Sequence, residues 1–266
     1  MTETFKPDTT LPVRIAASPN HGERIGVERP SLIILHYTGM QDAHEALARL
    51  CSPASEVSAH YMIFEDGDIA QSVPEARRAW HAGASSWAGA TDINSHSIGI
   101  EIANPGHEHG YVSFPDAQIK SVIALCRDIM LRNRILPQHV LAHSDIAPTR
   151  KMDPGEKFPW QWLHDEGIGD WAQPAPARAH KKITPTSRAE RIAALQHDLA
   201  RYGYDIHTSG QYDEQTSAAV RAFQRHFRCR HAGDARRPHQ KARQGRSHFR
   251  YGLAAALTIA QRLWPI

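Results

Sequence analysis

The sequence has few cysteines, and none of them are paired. Only Cys51, Cys126 and Cys229 occur in 266 residues, and no CxxC motif is present. An odd number of widely spaced cysteines is atypical of a disulfide-stabilised secreted domain, and it also argues against a cysteine-based zinc site. We therefore expect reduced thiols that behave as small buried hydrophobic side chains.

Long apolar segments are missing as well. No stretch provides the roughly 20 apolar residues that a membrane-spanning helix needs. Residues 1–30 contain Glu3, Asp8 and several prolines in place of the continuous apolar core of a secretory signal. We expect no transmembrane segment and a cytoplasmic location. The periplasm or cell envelope is the alternative if the start site has been placed downstream of a true signal or lipoprotein leader.

The charge of the chain is close to balanced. Its formal net charge is +3, with 22% charged and 41% hydrophobic residues. Such values are ordinary for a globular protein with one sizeable domain and a small one, and they give no support for nucleic-acid binding. The HExxH motif is also absent, which weakens the hypothesis of a zinc peptidase or deacetylase on another scaffold.

The segment from His143 to Trp160 carries the strongest chemical signal. It reads HSDIAPTRKMDPGEKFPW, and its three prolines are unfavourable in a regular helix or a central strand. His143 and Asp153 offer an imidazole nitrogen and a carboxylate oxygen, which are both good Zn²⁺ ligands. A catalytic zinc takes three protein ligands and leaves a fourth position for water. A third ligand must therefore come from another part of the chain.

His36 is the candidate for that third ligand. It follows the apolar run 32–35, which is typical of a strand buried on both faces, and turn residues come directly after it. Polar residues at the end of such a strand are well placed to line a site. The residues alone therefore indicate a metal hydrolase with a ligand set of His36, His143 and Asp153.

Five ordered stretches resemble one known family. They are LHYTG (35–39), VSAHYMIFEDG (57–67), RAWHAGASSW (78–87), SIGIEIANPG (97–106) and HSDIAPTRKMDPGEKFPW (143–160). Together they are similar to the zinc-dependent N-acetylmuramoyl-L-alanine amidases of the type 2 family, which are relatives of the peptidoglycan recognition proteins.

The resemblance implies a fold, a cofactor and a reaction. The expected fold is α/β, a mixed β-sheet flanked by helices, with a small all-α C-terminal domain. The expected cofactor is one catalytic Zn²⁺, and the bond cleaved in the family joins N-acetylmuramic acid to the first L-alanine of the stem peptide. Peptidoglycan or a muropeptide is thus the expected partner. The alternative is a recognition protein that binds peptidoglycan without cleaving it, although such members typically lack a full metal set.

Glu101 is the most informative acid of the chain. In SIGIEIAN the isoleucines alternate with Gly99, Glu101 and Ala103, so one strand face is apolar and the other carries a single carboxylate between two small residues. A solvated face would usually carry more polar residues, and we therefore favour a pocket around Glu101. Its expected role, which the resemblance also implies, is that of general base towards water.

Lys151 lies two residues before Asp153. Taken alone it is indistinguishable from a surface lysine, and only the resemblance assigns it a role. That role is to stabilise the oxyanion that forms when an amide carbonyl is attacked.

Local patterns predict several elements between these motifs. An amphipathic helix is expected at 42–50, a β-hairpin around the turn at 65–68, and the clearest helix at 116–133. The aromatic loop 78–87 contains Trp80 and Trp87, which either line a substrate cleft or pack the loop onto the core.

The C-terminal third predicts a separate unit. We expect a catalytic domain at 1–171, a Pro- and Ala-rich linker at 172–186, a helical domain at 187–228 and a basic, atypical tail at 229–266. The helical domain is similar to the first two helices of the peptidoglycan-binding domain found in cell-wall hydrolases. We expect it to be incomplete, because the usual third helix does not follow.

Each of the two C-terminal helices presents an apolar stripe that needs a partner, since two short helices bury too little surface alone. Residues 252–264 are one candidate partner, and a change of reading frame near Phe227 is the alternative explanation for the unusual tail. In both cases we expect residues 1–171 to act on soluble substrate without the helical domain.

Overall fold

The structure, a computed structural model, describes residues 5–171 and 187–227. The linker predicted at 172–186 and the basic tail predicted at 229–266 lie outside the described residues. The candidate partner segment at 252–264 lies outside them too.

A six-stranded mixed sheet forms the centre of the molecule. Its strands are β1 (Arg14–Ile15), β3 (Leu32–Tyr37), β4 (Tyr61–Ile63), β5 (Ile69–Gln71), β7 (Ser97–Ile102) and β8 (Val140–Ala142), in the order β1-β5-β4-β7-β3-β8. The β4–β5 pair is antiparallel and the other pairs are parallel. A separate antiparallel ribbon joins β2 (His21–Glu23) to β6 (Arg77–Ala79). The mixed sheet confirms the predicted fold class.

Seven α-helices are present among the described residues. They are α1 (Ala43–Leu50), α2 (Ile93–His96), α3 (Asp116–Asn133), α4 (His143–Ile146), α5 (Trp160–Asp165), α6 (Arg188–Tyr202) and α7 (Glu214–Phe227). The bounds of α1 and α3 agree with the helices predicted from periodicity. Asp42 caps the start of α1, because its side chain accepts a hydrogen bond from the backbone N–H of Glu45.

One face of the sheet is covered by α3. The strand β7 places its three isoleucines on this face, where they join Ile33 and Leu35 of β3 and the buried side of α3 in one hydrophobic cluster. The alternation of SIGIEI thus gives the apolar face that the sequence predicts. The opposite side of the same strand remains available for Glu101.

The other face of the sheet is covered by two separate groups of helices. The helix α1 packs over Met62 and Ala103 at one end of this face. At the other end, Leu32 and Ile34 belong to the same hydrophobic cluster as Leu195 of α6 and its neighbours on α7. The apolar stripes of the C-terminal helices therefore join the core on this side of the sheet, with α7 packed against α4 and α5.

Local sequence explains why α6 forms at its observed position. Ser187 and Glu190 make a reciprocal capping box, in which each side chain accepts a hydrogen bond from the backbone N–H of the other. Three residues along the apolar stripe of α6, namely Ile192, Leu195 and Leu199, are buried. The domain boundaries stay a prediction, but the two described parts of the chain share one apolar core.

Candidate active site

Three strand and loop segments bring the candidate ligands together. His36 lies near the end of β3, and His143 follows the neighbouring strand β8 as the first residue of α4. Asp153 lies in the proline-containing loop. The backbone C=O of Asp153 accepts a hydrogen bond from the N–H of Ser144 at 3.0 Å. The carboxyl ends of two parallel strands thus present both histidines at one edge of the sheet.

The ligand atoms of these residues form a compact, buried group. Nδ1 of His36 lies 2.8 Å from Nδ1 of His143 and 3.2 Å from Oδ2 of Asp153. Nδ1 of His143 lies 2.9 Å from the same carboxylate oxygen. All three residues are buried, and they form the one such cluster found in the described parts of the chain that could hold a metal ion. The donor set, two nitrogens and one carboxylate oxygen, fits a catalytic metal site with an open fourth position.

The second nitrogen of each histidine also has a partner. Nε2 of His143 donates to the backbone C=O of Ala82 at 3.0 Å. Nε2 of His36 lies 3.0 Å from Nδ1 of His81. These contacts leave both Nδ1 atoms unprotonated and directed at the shared site, which is the arrangement that a metal ion requires.

The electrostatics of the cluster also suit a cation. Burial and the neighbouring His143 lower the pKa of His36 to about 4, so its ring is neutral at physiological pH. Although burial opposes ionisation of Asp153, the proximity of His143 and His36 holds the pKa of its carboxyl well below its usual range. The site therefore combines a neutral ligand with an ionised one, as metal binding requires.

Glu101 lies beside this cluster because of strand register. On adjacent parallel strands, residue 36 of β3 pairs with residue 101 of β7, so the two side chains share one face of the sheet. The Oε2 atom of Glu101 is buried and has no hydrogen-bond partner among the described residues. Burial and the negative charge of Asp153 raise the pKa of Glu101 well above its usual value, while Lys151 lowers it. The carboxylate thus has an unused acceptor atom facing the site.

The loop that carries Lys151 is fixed by backbone and side-chain contacts. The N–H of Lys151 donates to the C=O of Ala147 at 2.9 Å. Nη2 of Arg150 donates to the C=O groups of Ala82 and Ala84 at 2.7 and 2.8 Å, which ties this loop to the aromatic loop. Lys151 lines the same pocket as the metal cluster.

A pocket of about 510 Å³ opens over the cluster and is lined by Glu101 and Lys151 as well as by the three candidate ligands. This volume is in the range of small-molecule sites.

The two tryptophans of the aromatic loop have different positions. Trp80 lines the pocket, whereas Trp87 is buried and packs edge to face against Tyr202 and Tyr204 of the C-terminal unit.

Tyr37 and His107 form one rim of the pocket. The Tyr37 hydroxyl and Nδ1 of His107 lie 3.0 Å apart, and the His107 ring stacks on Tyr111 with centroids 4.3 Å apart. Nε2 of His107 lies 3.0 Å from a carboxylate oxygen of Glu156. An aromatic surface with polar edges therefore borders the opening.

Two buried residues beside the site were not identified from the sequence. His81 contacts a candidate ligand directly, and Asp145 accepts a hydrogen bond from the backbone N–H of Ala142 at the start of α4. The motif RAWHAGASSW contains the first, but no spacing rule relates it to His36. His60, a buried histidine of the stretch VSAHYMIFEDG, accepts a hydrogen bond from the N–H of Gly99 and lies outside the ligand cluster.

Two protein families match separate parts of this chain. The family described as N-acetylmuramoyl-L-alanine amidase matches residues 26–156, and the one described as a putative peptidoglycan binding domain matches residues 188–230. The first match contains all five residues named as candidate ligands or catalytic groups. The second begins at the first residue of α6.

Characterised relatives cover large parts of the chain. The N-acetylmuramoyl-L-alanine amidase AmiD of Escherichia coli K12 is 40% identical over an alignment of 212 positions, which covers 75% of each protein. The 1,6-anhydro-N-acetylmuramyl-L-alanine amidase AmpD of Enterobacter cloacae is 34% identical over 170 residues, 57% of this chain and 88% of the relative. The solved structure of E. coli AmiD with anhydro-N-acetylmuramic acid-L-Ala-D-γ-Glu-L-Lys superposes with a TM-score of 0.65 at 33% identity, covering 92% of this chain and 98% of that one.

Proposed function

This chain belongs to the N-acetylmuramoyl-L-alanine amidase family, and from that premise we propose that it hydrolyses the amide bond between N-acetylmuramic acid and L-alanine in peptidoglycan or muropeptides. The observation that carries the proposal is the placement of Glu101 beside a buried group of two histidines and an aspartate, all within one pocket. Attack on an amide needs an activated water and stabilisation of the oxyanion, and this arrangement offers groups for both.

Zn²⁺ is the metal that we assign to His36, His143 and Asp153. Two imidazole nitrogens and one carboxylate oxygen match its preferred ligands, and the set of three leaves a position open. When bound, zinc supplies Lewis acidity that lowers the pKa of water and polarises a carbonyl group. The buried setting of the three residues keeps competing water away from them.

We assign the proton transfer to Glu101. Its free Oε2 atom accepts the proton of the attacking water, and a carboxyl with a raised pKa holds that proton until the leaving amine takes it up. Lys151 contributes a positive charge at the same pocket, where it stabilises the negative charge that develops on the carbonyl oxygen. A binding-only protein would need none of these groups, so catalysis is the better explanation of the site.

The relatives support the substrate class. E. coli AmiD has been solved with an anhydro-N-acetylmuramoyl tripeptide, and AmpD is named for 1,6-anhydro-N-acetylmuramyl-L-alanine. We propose a muropeptide of the same kind for this chain. Trp80 offers an apolar surface in the pocket, which suits a sugar ring or the methyl groups of the lactyl-alanine junction.

The compartment remains a prediction. No helix in the portions of the chain that the structure describes has the length and apolar character to cross a membrane. We retain the cytoplasm as the proposed location and the cell envelope as the alternative. Fractionation of cells that express the native protein at its natural level distinguishes them.

Digestion of purified muropeptides tests the reaction. Incubation with an anhydromuramoyl tripeptide should release the free tripeptide and the intact sugar, which mass spectrometry identifies by the gain of one water across the two products. Cleavage within the peptide would instead indicate a peptidase, and loss of acetate would indicate a deacetylase. Binding without any product would favour the recognition protein.

A further inference from the structure

A chain of hydrogen bonds leads from the metal cluster into the protein interior. Nε2 of His36 lies 3.0 Å from Nδ1 of His81, and Nε2 of His81 lies 3.2 Å from Oγ of Ser97. The Ser97 hydroxyl donates to the backbone C=O of Ile93 at 2.6 Å. Each group in the chain has one neighbour on either side, and the final acceptor is a carbonyl oxygen that cannot donate.

The direction of these hydrogen bonds determines which nitrogen of each histidine ring carries the proton. Since the C=O of Ile93 only accepts, the Ser97 hydroxyl must donate to it, and its oxygen is then available to accept from Nε2 of His81. A neutral His81 with its proton on Nε2 has an unprotonated Nδ1, which accepts the proton on Nε2 of His36. His36 is left with an unprotonated Nδ1, the atom that faces His143 and Asp153.

The His81 ring occupies the space that a side chain at position 99 would need. A Cβ atom on Gly99 of β7 would lie 2.4 Å from Cγ of the His81 ring, so no larger residue fits at position 99 while the ring keeps this position. The backbone of the loop is held as well, because Oδ1 of Asn94 accepts from the N–H groups of His81 and Ala82 at 3.0 and 2.8 Å.

We propose that His81 is a positioning residue of the metal site, which holds His36 in the tautomer and ring orientation that direct its Nδ1 atom at a divalent cation. The proposal rests on the proposed zinc site. Acceptors behind metal-bound histidines are usually carboxylates, backbone carbonyls or water, and their loss typically weakens metal affinity by about 10- to 100-fold. A buried neutral imidazole serves this purpose here, and Ser97 in turn fixes the tautomer of that imidazole.

Two substitutions of His81 separate positioning from simple packing. His81→Phe keeps an aromatic ring but removes the acceptor, whereas His81→Asn loses volume but places an amide oxygen near the original position of Nδ1. If His81 acts by accepting the hydrogen bond, His81→Phe should bind Zn²⁺ about 10- to 100-fold more weakly than the parent protein, and His81→Asn should recover much of this loss. If the ring only fills space, the order should be reversed.

Zinc affinity is measured by competition with a chromophoric chelator in the full-length protein, at one pH and with metal-free samples as the starting point. The His36 tautomer is read independently from ¹⁵N chemical shifts of the metal-free protein, where the parent should show a proton on Nε2 alone. His81→Phe should show a mixture of tautomers at His36. Ser97→Ala, which keeps both rings, should give a smaller shift in the same direction, and it provides the test if His81→Phe does not fold.

His36→Ala serves as the reference that separates the two proposals. If His36→Ala still binds one Zn²⁺ as tightly as the parent, the metal assignment itself is wrong. If His36→Ala abolishes binding while His81→Phe and Ser97→Ala leave both the affinity and the His36 tautomer unchanged, the positioning role is wrong and the proposed function is unaffected.

Discussion

Tyr204 of the C-terminal helical unit donates a hydrogen bond of 2.6 Å to Oδ1 of Asp145, a buried residue only two positions after the candidate ligand His143. Nδ1 of His226 on α7 lies 2.7 Å from the other oxygen of the same carboxylate. That oxygen also accepts from the N–H of Ala142, which precedes α4. The helical unit thus supports the short helix on which a metal ligand lies.

The first prediction concerns Tyr202 and Tyr204, two tyrosines of the C-terminal helical unit. Tyr204→Phe removes a donor from a buried carboxylate, and hydrogen bonds to charged groups contribute about 1.5 to 3 kcal/mol, so the free energy of unfolding should fall by that amount. The hydroxyl of Tyr202 is buried without a hydrogen-bond partner in residues 5–171 or 187–227. Tyr202→Phe should therefore be neutral or slightly stabilising. Urea denaturation of both variants checks this, and equal losses would contradict it.

The shared core changes the expectation for a truncated chain. Ending the protein after Trp171 would remove the ring contacts of Trp87 and Trp160 with the helical unit and leave Asp145 without two partners from it. Because each hydrogen bond to a buried carboxylate contributes about 1.5 to 3 kcal/mol, we expect the truncated protein to be strongly destabilised. Thermal unfolding of the truncated and full-length chains measures this, and similar melting temperatures would restore the simpler division into independent domains.

The second prediction concerns the metal. His36→Ala, His143→Ala and Asp153→Ala should each remove stoichiometric zinc and amidase activity, because three ligands are the usual minimum for a catalytic site. His44→Ala is the control, since that histidine is exposed on α1. Metal analysis of the purified variants gives the answer. A full complement of zinc in all three variants would contradict the assignment of these residues as zinc ligands.

The third prediction separates a base from a ligand. Glu101→Gln should keep zinc but lose roughly 10² to 10⁴ in rate, because the amide cannot take up the proton of water. Glu108→Gln, in the lining of the same pocket, should change the rate by much less, since Glu108 is exposed. Turnover of the anhydromuramoyl tripeptide measures both, and near-normal turnover of Glu101→Gln would remove this residue from the mechanism.

The fourth prediction concerns Lys151. Lys151→Met should lower kcat by about 10² to 10³ with little change in KM, because its charge is needed only where negative charge develops in the transition state. Lys157→Met is a matched control on the same loop, because that ammonium group is engaged by the C=O of Tyr111. A rise in KM at constant kcat would assign Lys151 to substrate binding instead.

The fifth prediction concerns the stability of the metal-free protein at low pH. Burial lowers the pKa of His36 to about 4, that of His60 to about 3, and that of His81 well below its usual value. Below about pH 6.5 the unfolded chain therefore binds more protons than the folded chain, and stability falls as the pH falls. Each histidine should contribute a loss of about 1.4 kcal/mol between pH 7.5 and 5.5. The raised pKa of Glu101 acts in the opposite sense, because the folded chain then holds a proton that the unfolded chain releases.

Urea denaturation of the metal-free protein at both pH values measures this loss. His81→Phe removes one of the three histidines, so its loss in the free energy of unfolding over the same interval should be smaller than that of the parent protein by about 1.4 kcal/mol. An equal loss in both proteins would show that the His81 ring is not held neutral in the folded state.

Local patterns in the sequence were sufficient for much of the fold. The apolar run of β3, the alternation of β7 and the periodicity of α3 each depend on neighbours a few residues away, and their bounds agree with the structure. The candidate ligands His36, His143 and Asp153 were likewise identified by residue type, and the structure brings them together. Their roles still await the experiments above.

Tertiary structure decided what those elements contact. His81 is 45 residues from His36 in the sequence, and Tyr204 is 59 residues from Asp145, so no local pattern relates either pair. The same holds for the apolar stripes of α6 and α7, whose amphipathic pattern predicts a partner but does not say which surface it is. The sequence by itself determined the helices, the strands and the chemistry of the donor groups. Only the folded chain decided which buried groups support them, because such contacts depend on the register of the strands and the packing of distant segments.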